Sequence, residues 1–256
     1  MIGRLTFSAV LTLGCTLWVS CGVMTGRPSA AMETPRPDSV LDFHTLYSQN
    51  CAGCHGVEGK DGPSVPLSDP LYQAIVDDNT LRDTIANGQA GSHMPAFAQS
   101  AGGMLTNAQV DALVKGMREH WSKPVNLNSG NLPAYKAETK GDSQRGRQVY
   151  SFYCASCHGA VGQSQSQAGP IVDRSFLSLI SDQALRTIAI IGRPDLGMPD
   201  WRERVPGHPM TEQEITDVVA WLSTQRGLQS PIQKPGEGPG TRRALQSQPM
   251  RSKGGL

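Results

Sequence analysis

The stretch Cys51-Ala52-Gly53-Cys54-His55 is the centre of this sequence, because it recurs 103 residues later as Cys154-Ala155-Ser156-Cys157-His158. On a helical turn, side chains at positions i, i+3 and i+4 project from one face. Each copy therefore presents two thiols and one imidazole together. Because further motifs recur after each copy, we expect one structural unit around each of them.

The C-x-x-C-H spacing is typical of covalently attached haem. The two thiols form thioethers with the porphyrin edge, and the imidazole that follows reaches the iron. We therefore predict two covalently bound haem c groups. The predicted attachment residues are Cys51, Cys54, Cys154 and Cys157. The predicted proximal iron ligands are His55 and His158.

A zinc knuckle or a dithiol redox pair would also use paired cysteines. Each of these needs partner residues that the sequence lacks, because the remaining cysteines, Cys15 and Cys21, belong to the N-terminal segment. The histidine that stands in the same place in both copies favours haem.

The composition indicates one or two small domains with long loops. The 256 residues carry a formal net charge of +1 and 5% aromatic residues, with 28 glycines and 18 prolines. Such a lean composition leaves a small domain short of apolar core, and a buried porphyrin supplies the missing surface. No nucleic-acid partner is expected.

Residues 1–20 are predicted to be a secretory signal, because a single early charge precedes an apolar run that is too short for a permanent membrane helix. The run ends in Val19-Ser20-Cys21-Gly22, which resembles the lipobox of bacterial lipoproteins. By that resemblance Cys21 is lipidated and anchors the chain to a membrane. Two alternatives stay open: ordinary cleavage at Ala30 or Ala31, and Cys15 and Cys21 as plain members of the apolar run. Either route leads to the periplasm, where covalent haem attachment of this kind is also expected.

The chain divides by composition into six segments. The signal is followed by a Pro-rich tether, a first domain, a linker without periodicity and a second domain. A basic tail with almost no apolar residues comes last, and we expect it to be disordered. The predicted bounds are 1–20, 21–39, 40–121, 122–141, 142–227 and 228–256.

The same order of motifs follows the C-x-x-C-H stretch in both domains. A Gly-Pro loop comes first and a Met-Pro pair later, at a nearly constant offset. The closing stretch begins with a capping-box pattern and continues with apolar residues at helical spacing. The motifs are Gly62-Pro63, Met94-Pro95 and Thr106-x-x-Gln109 in the first domain, and Gly169-Pro170, Met198-Pro199 and Thr211-x-x-Glu214 in the second.

This order of motifs resembles the class I c-type cytochromes, and two such units in tandem are similar to a dihaem cytochrome c. The resemblance covers about residues 40–227. It implies an all-α fold of two tandem cytochrome c-like domains, each a small helical fold around one covalent haem. It also implies Met94 and Met198 as distal iron ligands. The Gly-Pro loop carbonyls, at Pro63 and Pro170, are then the expected acceptors for the proximal histidines.

The distal ligand of the first domain has competitors, since His93 precedes Met94 and Met104 lies nearby. We favour Met94, because Met followed by Pro stands at a matching distance from the haem motif in both copies. A thioether ligand prefers reduced iron and raises the reduction potential relative to a second imidazole. The remaining histidines are expected in surface loops, namely His44, His120 and His208.

With histidine and methionine on either side of each iron, no position is open for a substrate. The predicted function is one-electron transfer between redox partner proteins by a periplasmic carrier that has no catalytic residues. Two alternatives stay open. One makes the chain a cytochrome subunit of a membrane dehydrogenase or oxidase complex. The other makes it a dihaem enzyme of the peroxidase or thiosulfate dehydrogenase type.

Overall fold

The computed structural model describes residues 35–125, 131–161 and 167–226. The predicted signal, Cys21, the tether up to residue 34 and the predicted tail lie outside these ranges. The described ranges are helical and contain no β-strand, only two isolated bridges. The prediction of an all-α fold is confirmed. Their α-helices are α1 (Phe43–Asn50), α2 (Ala52–His55), α3 (Pro70–Ile75), α4 (Asp78–Asn87), α5 (Asn107–Trp121), α6 (Ser143–Tyr153), α7 (Ala155–His158), α8 (Arg174–Leu179), α9 (Asp182–Ile191) and α10 (Glu212–Arg226).

The first copy of the repeat (α1 to α5) and the second copy (α6 to α10) have their helices in the same order. One helix precedes the haem motif, the motif forms a short turn, two helices follow, and a helix of 15 residues closes each copy. The opening helix packs against the closing helix in both copies. The haem motif therefore continues directly from a helix that the rest of its copy holds in place.

Capping boxes fix where the two closing helices begin. At the start of α5, the Thr106 side chain accepts from the Gln109 N–H, and the Gln109 side chain accepts from the Thr106 N–H. The same reciprocal bonds join Thr211 and Glu214 before α10, at 2.8 and 3.2 Å. Each box satisfies two backbone donors that the helix leaves unpaired. Both predicted capping boxes are confirmed.

The opening and closing helices approach closely because a glycine lies at each crossing. A Cβ added to Gly116 of α5 would lie 2.2 Å from the Phe43 ring. In the second copy the glycine is on the opening helix. A Cβ on Gly146 of α6 would lie 1.9 Å from the Asp217 carbonyl oxygen and 2.7 Å from the Trp221 side chain. The small and the aromatic residue have exchanged helices between the copies.

The described part of the predicted linker packs on the second copy. Gln183 of α9 donates from Nε2 to the Tyr135 carbonyl oxygen at 2.7 Å, and Arg186 donates to that of Ala134 at 2.8 Å. Tyr135 also makes an edge-on contact with Tyr72 of the first copy, with ring centroids 6.5 Å apart. Because α3 and α9 are in contact at this place, the two copies share a junction.

Candidate haem sites

The haem motif forms a single helical turn in both copies. Cys51 caps the end of α1 and the start of α2, and its carbonyl accepts from the His55 N–H at 3.0 Å. The equivalent bond between Cys154 and His158 is 2.9 Å. The structure thus brings the two thiols and the imidazole of each copy onto one turn, as their spacing predicts. All four thiols are free of disulfide bonds.

One thiol of each pair is buried and the other is exposed. Burial, with a smaller effect of Cys54, raises the pKa of Cys51 to about 12. Burial raises the pKa of Cys154 to about 11, although the nearby Arg204 opposes the shift. Burial therefore favours the neutral thiol at this position in both copies. Within the described ranges, no group of three or more His, Cys, Asp or Glu side chains is arranged to hold a metal ion by itself.

A backbone carbonyl orients each predicted proximal histidine. His55 Nδ1 lies 2.8 Å from the Val65 carbonyl oxygen, and His158 Nδ1 lies 2.9 Å from that of Gly169. With Nδ1 as the donor, Nε2 of each ring carries the lone pair that an iron ligand needs. Burial lowers the pKa of His55 more than its bond to Val65 raises it, so the neutral imidazole is favoured.

The structure corrects the predicted acceptors for these histidines. The prediction that the carbonyls of Pro63 and Pro170 accept from them is wrong. Matching by letters pairs Gly62-Pro63 with Gly169-Pro170, whereas the structural equivalent of Gly169-Pro170 is Val65-Pro66. The first loop reaches its acceptor position three residues later than the Gly-Pro letters indicate.

Two backbone hydrogen bonds establish this equivalence. Ser64 donates to the Cys54 carbonyl at 3.0 Å, and Ala168 donates to the Cys157 carbonyl at 3.0 Å. In each copy the next residue accepts from the histidine. Gly62 has a different role, because a Cβ there would lie 2.4 Å from the Cys54 carbonyl oxygen. A residue without a side chain lets this loop lie directly on the haem-motif turn.

A tyrosine supports the end of each haem-motif turn. The Tyr47 hydroxyl donates to the Gly56 carbonyl at 2.8 Å, and the Tyr150 hydroxyl donates to that of Gly159 at 2.7 Å. Both glycines have a φ of 80°, which a residue with a side chain rarely adopts. The sequence does not identify this role, but each tyrosine stands four residues before its motif, and that recurrence is the available signal.

The predicted distal methionines lie in matching loops. Met94 and Met198 are half-buried, and a glycine with a positive φ ends the helix before each loop. A Cβ on Gly88 would lie 2.7 Å from the Met94 carbonyl oxygen, and one on Gly192 would lie 2.5 Å from that of Met198. Only glycine permits this approach. Both methionines thus lie in loops folded back on a glycine, although the Met94 N–H donates to Ser92 Oγ at 3.1 Å and the Met198 N–H to the Arg193 carbonyl at 2.9 Å.

The residues that compete with Met94 lie in solvent. His93 is exposed and Met104 is 81% exposed, whereas Met94 packs against the apolar core. This difference favours Met94 as a ligand to a buried haem. His44 and His120 are exposed, but the prediction of surface loops is wrong for them, since they lie on α1 and α5.

The hydrogen bonds of Arg204 indicate whether the second site fits a haem. Its Nη2 donates to the carbonyls of Ile188 and Ala189 at 3.2 and 3.0 Å. Its buried Nε has no hydrogen-bond partner among the residues that the structure describes. Burial lowers the pKa of Arg204, and the thiol of Cys154 is close enough to act on it. An anion that reaches the Arg204 Nε would satisfy this donor, and a haem propionate is such an anion. The residues fit the cofactor.

Comparison with known families adds the deciding observation. Residues 39–115 and 141–222 match the family model described as cytochrome c oxidase, cbb3-type, subunit III. The chain belongs to this family. Each matched segment contains one complete set of predicted cysteine, histidine and methionine residues. As a cbb3-type cytochrome, the chain carries two covalently bound haem c groups in two tandem cytochrome c-type domains, as predicted.

Similar curated proteins have cbb3-type names. The chain is 30% identical to the cbb3-type cytochrome c oxidase subunit FixPc of Rhizobium leguminosarum bv. viciae, over 70% of this chain and 60% of that protein. It is 27% identical to the cbb3-type subunit CcoP of Azospirillum sp. (strain B510), over 68% of this chain and 61% of that protein. The chain thus spans about 60% of the length of these curated relatives.

A solved chain of the Kuenenia stuttgartiensis reducing HAO-like protein complex Kustc0457/Kustc0458 also overlays on this cbb3-family chain. The TM-score is 0.38 at 16% sequence identity, over 76% of this chain and 99% of that one. So weak a likeness supports no statement about function.

The family match concerns the haem domains and leaves other predictions as they were. Of the helices in residues 35–125, 131–161 and 167–226, none combines the length and apolarity needed to cross a bilayer. The signal and the lipidation of Cys21 remain predictions, as do the roles of the individual haem-binding residues.

Proposed function

We propose that this chain is a dihaem electron-transfer subunit of a membrane oxidase complex of the cbb3 type, passing single electrons between redox partner proteins. The observation that carries the proposal is the match of both halves to subunit III of such an oxidase. The names of the curated relatives support it, because each is a cbb3-type oxidase subunit.

In this proposal, a cysteine pair attaches each haem, and one histidine and one methionine bind its iron. The ligand pairs are His55 with Met94 and His158 with Met198. Bound haem supplies a one-electron change between ferrous and ferric iron. The carbonyls of Val65 and Gly169 hold the imidazoles in one orientation, and the glycine-dependent loops hold the methionines. A chain that is rigid around both ligands adjusts little when the charge of the iron changes.

With one histidine and one methionine binding each iron, no coordination position would remain for a substrate. The chain therefore acts as a carrier, and catalysis belongs to other subunits of the complex. The thioether also favours the reduced state, which suits an electron acceptor of fairly high potential.

The proposed location is the outer face of a bacterial cytoplasmic membrane, with the mature chain anchored by lipid at Cys21. The support is the lipobox-like Val19-Ser20-Cys21-Gly22 at the end of an apolar run. Mass spectrometry of the mature N-terminus tests the anchor. A lipid-modified Cys21 is expected, and an unmodified terminus at Ala30 or Ala31 would contradict it.

Purification of the full chain from native membranes tests the proposed complex. The tagged chain is extracted in mild detergent, separated on a native gel, stained for haem and analysed for co-migrating subunits. We expect haem in a band that also contains the other subunits of a cbb3-type oxidase. Recovery of the haem-bearing chain alone, in a soluble fraction released without detergent, would overturn the subunit proposal and indicate a free carrier.

A further inference from the structure

Arg193 opens the methionine loop of the second copy, directly after Gly192 at the end of α9. Its N–H donates to the Met198 carbonyl at 2.9 Å, and its carbonyl accepts from the Met198 N–H at 2.9 Å. In the first copy, Gln89 stands at the same place and donates to the Met94 carbonyl at 3.1 Å. The backbone of Arg193 is thus an integral part of the loop that holds the predicted distal ligand.

The side chain of Arg193 reaches the first copy. Its Nη2 donates to the Gly62 carbonyl at 2.9 Å. Its Nε and Nη2 also bind the two carboxylate oxygens of Asp195, at 2.9 and 2.6 Å. This ion pair is buried, with side-chain exposures of 10% and 8%. Because a two-pronged pair fixes the plane of the guanidinium, the bond to Gly62 has one defined geometry.

Gly62 lies directly on the haem-motif turn of the first copy. A Cβ added there would lie 2.4 Å from the Cys54 carbonyl oxygen and 2.7 Å from the His55 carbonyl carbon. An unbroken series of contacts therefore leads from Met198 through Arg193 and Gly62 to the turn that carries the first cysteine pair. It joins the distal side of one site to the proximal side of the other.

Two helices and several carboxylates surround the bond between Arg193 and Gly62. Helix α3 packs against α9 at the same junction. Burial raises the pKa of Asp69, which caps α3, and the carboxylates of Asp200 and Asp195 raise it further. Carboxylates of the second copy therefore lie close enough to act on one of the first. The charge of Arg193 offsets that of Asp195 at this junction.

We propose that Arg193 is a positioning residue that locks the methionine loop of the second haem site onto the haem-motif turn of the first. The lock keeps the two sites at one separation and one orientation. Since electron tunnelling weakens steeply with distance, every molecule then offers the same route between the sites. This consequence rests on the proposed electron-transfer function, whereas the lock itself is a property of the chain.

Hydrogen exchange on the full-length, haem-loaded protein tests the lock. The double variant Arg193→Gln with Asp195→Asn gives the second copy the residue of the first copy and leaves no lone buried carboxylate. We expect amide exchange in residues 62–72 to accelerate by at least about tenfold. In the wild-type chain, local opening of this segment requires the bond from Arg193 to Gly62 to break, and in the variant it does not. The substitutions lie in the other copy, so a purely local effect would not produce this result.

Two further variants make the test decisive. Arg82→Gln is the matched control, because Arg82 forms an exposed pair with Asp111 inside the first copy, and exchange in residues 62–72 should stay unchanged. Arg193→Lys keeps the charge beside Asp195 but cannot bind two acceptors in the same plane. We expect an intermediate acceleration from it, and it carries the test if the double variant does not fold.

Pulsed electron paramagnetic resonance between the two oxidised irons gives an independent readout. In the double variant we expect a broader distribution of iron-to-iron distances, with the methionine-to-iron absorption of both sites retained. Unchanged exchange in residues 62–72 together with an unchanged distance distribution would overturn the lock. The proposed electron-transfer function would survive that result, since it depends on the ligands and on the oxidase partner.

Discussion

Arg82 in the first copy and Arg186 in the second stand at the same place in the repeat, yet their surroundings differ. Arg82 pairs with Asp111 at the surface, where the two side chains are 37% and 58% exposed. Arg186 is 3% exposed and binds Glu212 and Thr216, the latter at the position of Asp111. It also holds the carbonyls of the linker. One copy leaves the arginine in solvent, and the other uses it to fasten a neighbouring segment.

The same contrast extends to the helix crossing and to the haem pocket. Phe43 packs on Gly116 in the first copy, whereas Gly146 packs on α10 beside Trp221 in the second. Arg204 lies beside the second cysteine pair, and the equivalent position of the first copy is Ser100. The backbone bonds around both haem motifs are nevertheless alike. The two copies therefore share the backbone contacts that orient the predicted ligands. They differ in the side chains that stabilise each domain and in the charge near each haem site.

The largest expected effect is on stability, from Arg186→Gln. It leaves several buried acceptors unpaired, so we expect the free energy of unfolding of the second copy to fall by about 3 kcal/mol. Arg82→Gln removes an exposed ion pair and should cost less than about 1 kcal/mol. Denaturant unfolding followed by hydrogen exchange reports each copy separately. Equal losses from the two substitutions would contradict the contrast between a buried and an exposed arginine.

The helix crossing predicts the next effect. Gly146→Ala should destabilise the second copy by about 1–3 kcal/mol, because the new Cβ meets a backbone carbonyl that cannot move without α10. The atoms nearest to a Cβ on Gly116 are Cδ2, Cγ and Cβ of Phe43. Phe43→Ala removes the two closest of these, so adding it to Gly116→Ala should recover part of the loss. Gly53→Ser is the control, because nothing lies within 4 Å of a Cβ there and the second copy has Ser156 at that place. Thermal unfolding that is unaffected by Gly146→Ala would show that the crossing is looser than described.

The smallest effect concerns the electrostatic difference between the pockets. A buried cation favours the reduced haem, which carries one positive charge less, so Arg204→Gln should lower the reduction potential of the second site. The expected size is on the order of 59 mV, the value for a tenfold change in a one-electron equilibrium. Potentiometric titration resolves the two sites, and Ser100→Ala serves as the control in the first. An unchanged reduction potential of the second site, or equal shifts at both sites, would show that Arg204 does not act on the second haem.

Local patterns account for what the sequence could predict. The haem-motif turns and the capping boxes depend on residues three or four positions apart, so the spacing of residues in the sequence predicts them. The acceptor for His55 is different, because Pro63 matched Pro170 by letters while the first loop reaches its acceptor only at Val65. A match of sequence letters does not reveal that Gly62 instead allows its loop to lie close to the haem-motif turn.

Contacts between the copies were beyond the sequence for a related reason. The bond from Arg193 to Gly62 joins residues 131 positions apart, and neither residue belongs to a periodic pattern that points to the other. The burial of Arg186 and the exposure of Arg82 likewise follow from where the linker packs. The fold and the ligand turns were thus predictable, whereas the relation between the two sites was not.

The most direct test of the account is the ligation of both irons in the purified, full-length oxidised protein. Haem content is measured first, and the methionine-to-iron charge-transfer absorption is then quantified per haem. We expect two haems per polypeptide and a band intensity that corresponds to two methionine-ligated irons, with Met94→His and Met198→His each removing half of it. Fewer than two haems per chain, or prompt carbon monoxide binding by both reduced centres, would contradict it.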